Sequence, residues 1–217
     1  MGEGGDLLGR EGGVSIRLAP IFLALLISPA LADEYQDAIG KAFPGFSILS
    51  PSEIQLPERM DRKTRDLVKD HPGLVVGRFN SDALPDFAAL IRGSRLIRIA
   101  GNKADGVMAM SYYEGYLAVC YGLAAGGYRC EKLTTDPMRI TKSFDEYLTK
   151  EPPGSLTCNQ LIKFKAPKPH YDPNAPEPGE GPVRITFGTD AIVINGGGGF
   201  VYVGQPGGRY LECLTAG

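Results

Sequence analysis

The 217-residue sequence contains no tryptophan and only two histidines, and its charges almost cancel, leaving a formal net charge of −2. Without an excess of basic residues, the chain lacks the charge that drives binding to nucleic acid. Its longest apolar run, Leu18–Ile27, is far shorter than the roughly 20 residues that span a bilayer, so we expect no stable membrane anchor. The hydrophobic fraction of 43% is typical of a folded domain and excludes a disordered chain.

The apolar run has the layout of a secretory signal peptide. Arg17 precedes it, and Ala30 and Ala32 follow at the spacing of a small-residue cleavage site. The sequence therefore predicts a signal peptide over residues 1–32 and a single mature domain over residues 33–217, located in the periplasm or secreted.

The segment before the apolar run is unusual because it is acidic, whereas signal peptides normally begin with basic residues. Residues 1–16 hold three acids and one arginine. A start at Val14 would remove this discrepancy, and we hypothesise that translation begins there.

The four cysteines all lie in the mature part of the chain, and an even number in an exported protein favours disulfides. Four cysteines allow three pairings. Two predicted strands flank a turn at residues 124–127 and place Cys120 opposite Cys130, which leaves Cys158 to pair with Cys213. The alternative is a redox or nucleophilic site, but the sequence has no Cys-x-x-Cys pattern and no metal-ligand spacing.

Gly and Pro are abundant, with 29 and 17 copies, and favour many turns over long helices. We predict three short helices, at 33–43, 57–69 and 143–149. We predict strands at 74–79, 87–92, 96–100, 107–113, 116–123, 129–133, 191–195, 200–203 and 209–214. The last three form an antiparallel meander joined by glycine-rich turns, and its first two strands are expected to be central. The fold class is mainly β, with short helices at the N-terminal periphery.

Six prolines fall within residues 166–182, which must therefore form a loop. Such a length is unusual within a compact domain.

The segment 77–90 resembles the FG-GAP/VCBS repeat, in which a loop with alternating Asp and Asn oxygens binds Ca²⁺ between two strands. Asn80, Asp82 and Asp86 match the third, fifth and ninth loop positions, whereas Arg78 stands where the family has Asp. A guanidinium at that position repels a cation, so we expect no metal and hypothesise that Arg78 pairs with Asp82 or Asp86. The layout is similar to that of small exported bacterial proteins with one such loop before a β-meander.

Three tyrosines, Tyr112, Tyr113 and Tyr116, form the candidate binding residues, because exposed tyrosines are common on recognition surfaces. In strands they also pack against neighbouring strands, and the sequence leaves both alternatives open. His71 lies in a helix-stopping His-Pro-Gly and His170 in the proline-rich loop, and neither has a partner at metal-ligand spacing.

We therefore expect an exported, non-catalytic protein that binds an unknown protein or small molecule and needs no cofactor. The alternative is a secreted hydrolase with carboxylates in the 166–182 loop.

Overall fold

The computed structural model describes residues 29–101, 108–134, 136–164, 182–196, 199–205 and 209–215. Within these ranges the chain forms two α-helices and thirteen β-strands. The helices are α1 (Pro29–Ala42) and α2 (Arg62–Val68), with a 3₁₀ turn at Pro51–Glu53 between them. The strands are β1 (Phe46–Ile48), β2 (Leu74–Gly77), β3 (Asp86–Ile99), β4 (Met110–Gly122), β5 (Tyr128–Lys132), β6 (Met138–Ile140), β7 (Tyr147–Glu151), β8 (Gly154–Cys158), β9 (Gln160–Phe164), β10 (Val183–Phe187), β11 (Ala191–Asn195), β12 (Phe200–Gln205) and β13 (Arg209–Leu214).

The strands form two large antiparallel sheets and one small ladder. The first sheet has the order β1-β3-β4-β5, with β2 paired to β3 and β6 paired to β4. The second sheet has the order β7-β11-β12-β13-β9, and β8 pairs with β10 separately. The mainly β fold class is confirmed, as are the C-terminal meander and the central position of β11 and β12.

The layers are stacked in the order α1, first sheet, second sheet, β8-β10 ladder. Three clusters of buried side chains lie between successive layers. The inner core joins the two sheets through residues such as Leu90, Leu117, Ile192 and Tyr202. Because both faces of the first sheet are covered, β3 is buried continuously from Asp86 to Ile91, as is typical of a strand between two layers.

Two disulfides are present, and they join the pairs that the sequence predicts. Cys120 and Cys130 face each other across β4 and β5, with their Cα atoms 4.0 Å apart. Cys158 and Cys213 join the ladder to the last strand of the second sheet.

Several predicted strands merge into longer ones. The predicted strands at 87–92 and 96–100 are one strand, β3, whose pairing with β4 shifts between Arg92 and Leu96. Likewise β4 continues through the predicted gap at residues 114–115. The long pairing of β3 with β4 supplies the hydrogen bonds that hold these segments extended.

The helix predicted at 143–149 is wrong. Residues 147–151 form β7, which pairs with β11, and Leu148 is almost fully buried in the inner core. Pairing with the edge of β11 that β12 does not occupy thus overrides the local helix signals.

The helix predicted at 57–69 is shorter than expected. It begins at Arg62 because Asp61 caps it, accepting the backbone N–H of Thr64 at 3.0 Å. The helix predicted at 33–43 is α1, which begins at Pro29.

Residues 1–28, including the predicted apolar signal segment, lie outside the described residues, as do 165–181 with His170. Over the parts of residues 29–215 that the structure describes, no helix has the length and apolar character needed to cross a membrane.

Candidate functional site

Four half-buried aromatic side chains lie on the outer face of the first sheet, the face against which α1 packs. Phe43 follows α1, Phe46 belongs to β1, and Tyr112 and Tyr116 belong to β4. Alternation along β4 directs Tyr112 to the same face as Tyr116, which packs against the cluster beneath α1. The rings of Phe46 and Tyr116 are 5.7 Å apart between centroids. We call these four residues the outer aromatic patch.

Two cationic side chains lie over the outer aromatic patch. The Lys132 ammonium is 3.6 Å from the Tyr116 ring centroid and 4.2 Å from that of Phe46. The Arg139 guanidinium lies 5.5 Å from the centroid of Tyr112. Each distance is within the range of a cation–π interaction. Burial lowers the pKa of Lys132, and the nearby carboxylate of Glu114 opposes this shift.

Tyr113 does not belong to the outer aromatic patch. It points to the opposite face of β4, where it packs against the inner core. The guanidinium of Arg92 lies over its ring at 4.4 Å from the centroid. The structure therefore places two of the three candidate tyrosines, Tyr112 and Tyr116, on the same face of β4 and the third on the opposite face.

The loop between β2 and β3 is organised around Asp86, which is completely buried. One carboxylate oxygen of Asp86 accepts the backbone N–H of Phe79 at 2.8 Å and that of Asn80 at 3.2 Å. The other accepts the N–H of Gly122 on β4 at 3.1 Å. Burial raises the pKa of Asp86, while these three N–H donors act in the opposite direction.

Asn80 and Asp82 also use their side chains within the loop. The side-chain oxygen of Asn80 accepts the N–H of Asp82 at 2.9 Å, and Asp82 accepts the N–H of Leu84 at 2.9 Å. The Asn80 amide also donates to Asp82 at 2.8 Å. The two bonds to backbone N–H groups are Asx turns. They satisfy these side-chain oxygens within the loop, without a ligand. Among the described residues, no group of three or more His, Cys, Asp or Glu is arranged to hold a metal ion.

The hypothesised ion pair between Arg78 and the loop acids is wrong. The exposed Arg78 side chain pairs with neither Asp82 nor Asp86 in the described loop. Arg78 is instead held through its backbone. Its N–H donates to the Asp190 carboxylate at 3.0 Å, and its carbonyl accepts the N–H of Asp190 at 2.8 Å. The Asp86 carboxylate is satisfied by backbone N–H groups, so it needs no guanidinium partner.

Asp190 connects this loop to the second sheet and was not predicted from the sequence. It immediately precedes β11, is mostly buried, and lies 3.3 Å from the Lys150 ammonium. No local motif marks this residue, because its partners are distant in sequence.

A chain of buried hydroxyl groups links the two sheets. The hydroxyl oxygens of Tyr121 on β4 and Tyr210 on β13 are 2.8 Å apart, and Tyr121 lies 2.8 Å from a carboxylate oxygen of Glu131. One hydroxyl proton cannot serve both contacts, so Tyr210 donates to Tyr121, which donates to Glu131. Burial raises the pKa of both tyrosines. This chain joins β4 of the first sheet to β13 of the second.

Another buried acid, Glu212, lies on β13 directly opposite Tyr202 on β12. Burial raises the pKa of Glu212, and the Tyr202 hydrogen bond opposes that shift. Burial likewise raises the pKa of Glu146. The spacing of residues in the sequence does not reveal such acids, because Glu212 meets Tyr202 only when β12 and β13 pair.

His71 takes part in the turn that follows α2, where its carbonyl accepts the N–H of Leu74 at 3.1 Å. His170 and the acids of the 166–182 loop lie outside the described residues, and the hydrolase alternative depends on them.

No family model, curated protein or solved structure matches this chain. What it does must therefore be inferred from its own residues and their geometry.

Proposed function

We propose that this chain is an exported, non-catalytic binding protein whose ligand lies on the outer aromatic patch. The observation that carries the proposal is that four half-buried aromatic side chains share the outer face of the first sheet: Phe43, Phe46, Tyr112 and Tyr116. Half-exposed aromatic rings offer large apolar contact at low entropic cost, which is typical of recognition surfaces.

The hydrogen bonds of three acids support binding over catalysis. Asp86 accepts backbone N–H groups, Glu131 ends a hydroxyl chain, and Glu212 faces a tyrosine hydroxyl. Each of these carboxylates already has a structural partner, and those bonds would have to break before the group could act on a substrate.

Export is supported by the signal-like segment at residues 1–32 and by the two disulfides, which persist in oxidising compartments outside the cytoplasm. The proposed location is the periplasm or the exterior.

For the loop at 77–90, we propose a structural role without calcium, despite its FG-GAP/VCBS-like sequence. The oxygens of Asn80, Asp82 and Asp86 are already engaged by N–H donors within the protein. Isothermal titration calorimetry with CaCl₂ should give no binding heat up to about 1 mM, the weak end of calcium modules. Saturable binding below that concentration would contradict this role.

Site-specific photo-crosslinking tests the binding function. A benzoylphenylalanine placed at Tyr112 should form adducts when the protein is exported in the cells that make it. A matched probe at Leu67, which is 74% exposed on α2, supplies the control. Gel electrophoresis detects protein adducts, and the intact mass of the purified chain detects small-molecule adducts.

We expect adducts at Tyr112 that are reduced when Tyr116 is also replaced by Ser, and few at Leu67. Equal labelling at both positions, or none at Tyr112, would contradict binding through the outer aromatic patch.

A further inference from the structure

We propose that Phe43, Phe46 and Tyr116 form an aromatic cage for a quaternary ammonium group, and that Lys132 fills the cage when no ligand is bound. This inference rests on the proposed binding function and names the class of ligand. The cage is one part of the outer aromatic patch.

The three rings come from separate elements and converge on one point. The Lys132 ammonium marks that point, at 3.6 Å from the Tyr116 centroid, 4.2 Å from Phe46 and 5.8 Å from Phe43. All three distances are within the roughly 6 Å over which a ring face attracts a cation. Phe43 comes from the turn after α1, Phe46 from β1 and Tyr116 from the centre of the sheet, so the fold itself holds the rings together.

The Lys132 ammonium contacts the cage through ring faces. In the part of the chain that the structure describes, the Lys132 ammonium has no hydrogen bond or ion pair with the protein. A lysine has three N–H donors, so this environment leaves them to water. A quaternary ammonium has no N–H group to satisfy, and ring faces are the surface that recognises it.

The carboxylate of Glu114 near the cage favours a bound cation. Glu114 lies two residues before Tyr116 on β4 and therefore on the same face. Its carboxylate favours the charged form of Lys132, although burial shifts the lysine pKa in the opposite direction. A cation that cannot lose a proton gains the same attraction from Glu114 and has no neutral form.

Lys132 can leave the cage without disturbing the fold. The residue is exposed, is the last of β5, and has a flexible four-carbon stem. β5 pairs only with β4 in the described first sheet, so the Lys132 side chain lies at the sheet edge. Its ammonium is strongly hydrated in water, which offsets part, but not all, of the cation–π attraction that is lost when a ligand displaces it.

The test uses choline chloride as the probe and its neutral isostere, in which a tert-butyl group replaces the trimethylammonium group, as the matched ligand. Binding is followed by shifts of backbone amide signals in nuclear magnetic resonance spectra. The variants are Lys132→Ala, which empties the cage, and Lys132→Ala with Phe43→Leu, which also removes one ring. Lys69→Ala, on the far helix α2, is the control lysine variant.

We expect Lys132→Ala to bind choline about tenfold more tightly than the wild type and Lys69→Ala, with shifts centred on Phe46 and Tyr116. The neutral isostere should bind about tenfold more weakly than choline, and the added Phe43→Leu change should reduce choline binding.

Absence of saturable choline shifts in folded Lys132→Ala, or equal binding of the isostere, would overturn the inference. Folding of each variant is read from the dispersion of the same spectra. If choline binds but the Tyr112 probe gives no adduct, the cage stands and the wider patch fails. If the Tyr112 probe gives adducts but choline does not bind, the wider patch stands and the cage fails.

Discussion

Asp86 shows how a single buried charge holds a surface loop to the sheet beneath it. Its carboxylate accepts N–H groups from the loop at Phe79 and Asn80 and from Gly122 on β4. A hydrogen bond to a charged acceptor is stronger than a neutral one, and loss of its acceptor leaves buried N–H groups unpaired.

The substitution Asp86→Asn should therefore destabilise the protein by about 2 kcal/mol or more. The amide has one acceptor oxygen and two donors, so at least one backbone N–H faces another donor. Urea unfolding followed by circular dichroism measures the change. Asp82→Asn, in the exposed part of the loop, is the control and should cost less than about 1 kcal/mol. Equal losses in the two variants would contradict the role of Asp86.

Glu212 predicts a pH dependence of stability. Because burial raises its pKa in the folded state, the folded protein holds this proton more tightly than the unfolded chain does. The stability that results is complete below the unfolded pKa of about 4.3 and is lost as pH rises through the folded pKa.

Glu212→Gln removes this titration. The wild type should therefore lose stability relative to the variant as pH rises from about 4 to about 7. The difference in unfolding free energy, variant minus wild type, should become more positive over this range. Urea unfolding at several pH values measures this difference, with Glu58→Gln at an exposed position as the control. A relative stability of Glu212→Gln that does not change with pH would contradict the assignment.

At the scale of the element, β4 presents a different surface on each face. Tyr112 and Tyr116 lie on the outer face of the first sheet, while Tyr113 points to the inner core and lies beneath Arg92. Successive side chains of a strand alternate between faces, so adjacent tyrosines must have different roles.

Tyr113→Ala should lower the unfolding free energy by about 2 kcal/mol, because it removes part of the inner core and the contact with Arg92. Tyr112→Ala, its neighbour on the outer face, should cost less than about 1 kcal/mol. Thermal or urea unfolding of the two variants measures both effects. A larger loss for Tyr112→Ala would reverse the assignment of faces.

Strand assignments from the sequence were most accurate where the local pattern and the tertiary pairing agree. The apolar runs of β11 and β12 and the glycine-rich turn between them predict the meander that the structure has. The segment at 143–149 has helix-type signals, but Leu148 is drawn into the inner core by pairing of β7 with β11. A local pattern contains no information about a partner more than forty residues away, since β7 and β11 meet only in the folded chain.

At the scale of the whole molecule, the two disulfides brace different layers. Cys120–Cys130 closes a short hairpin within the first sheet, with a sequence separation of 10. Cys158–Cys213 joins the ladder to the second sheet across a separation of 55. In the chain-entropy model, the longer loop constrains the unfolded chain more.

Replacing Cys158 and Cys213 together with Ala should therefore cost about 4 kcal/mol, compared with about 3 kcal/mol for Cys120 and Cys130. Urea unfolding of each double variant under non-reducing conditions provides the comparison, and each variant keeps the other disulfide as an internal control. A larger loss from the hairpin disulfide would contradict the loop-length argument.

The sequence by itself determined the mainly β class and the meander, because alternation and turn residues act over short distances. It also determined the two disulfide pairs, because four cysteines allow few pairings. Only the tertiary structure decided how Asp190 meets the loop at Arg78, how Tyr121 reaches Tyr210, and which face of β4 packs against the inner core. It also assembled the cage around Lys132 from three elements. These contacts join residues far apart in the chain, and their positions depend on how the layers stack, which no local pattern specifies.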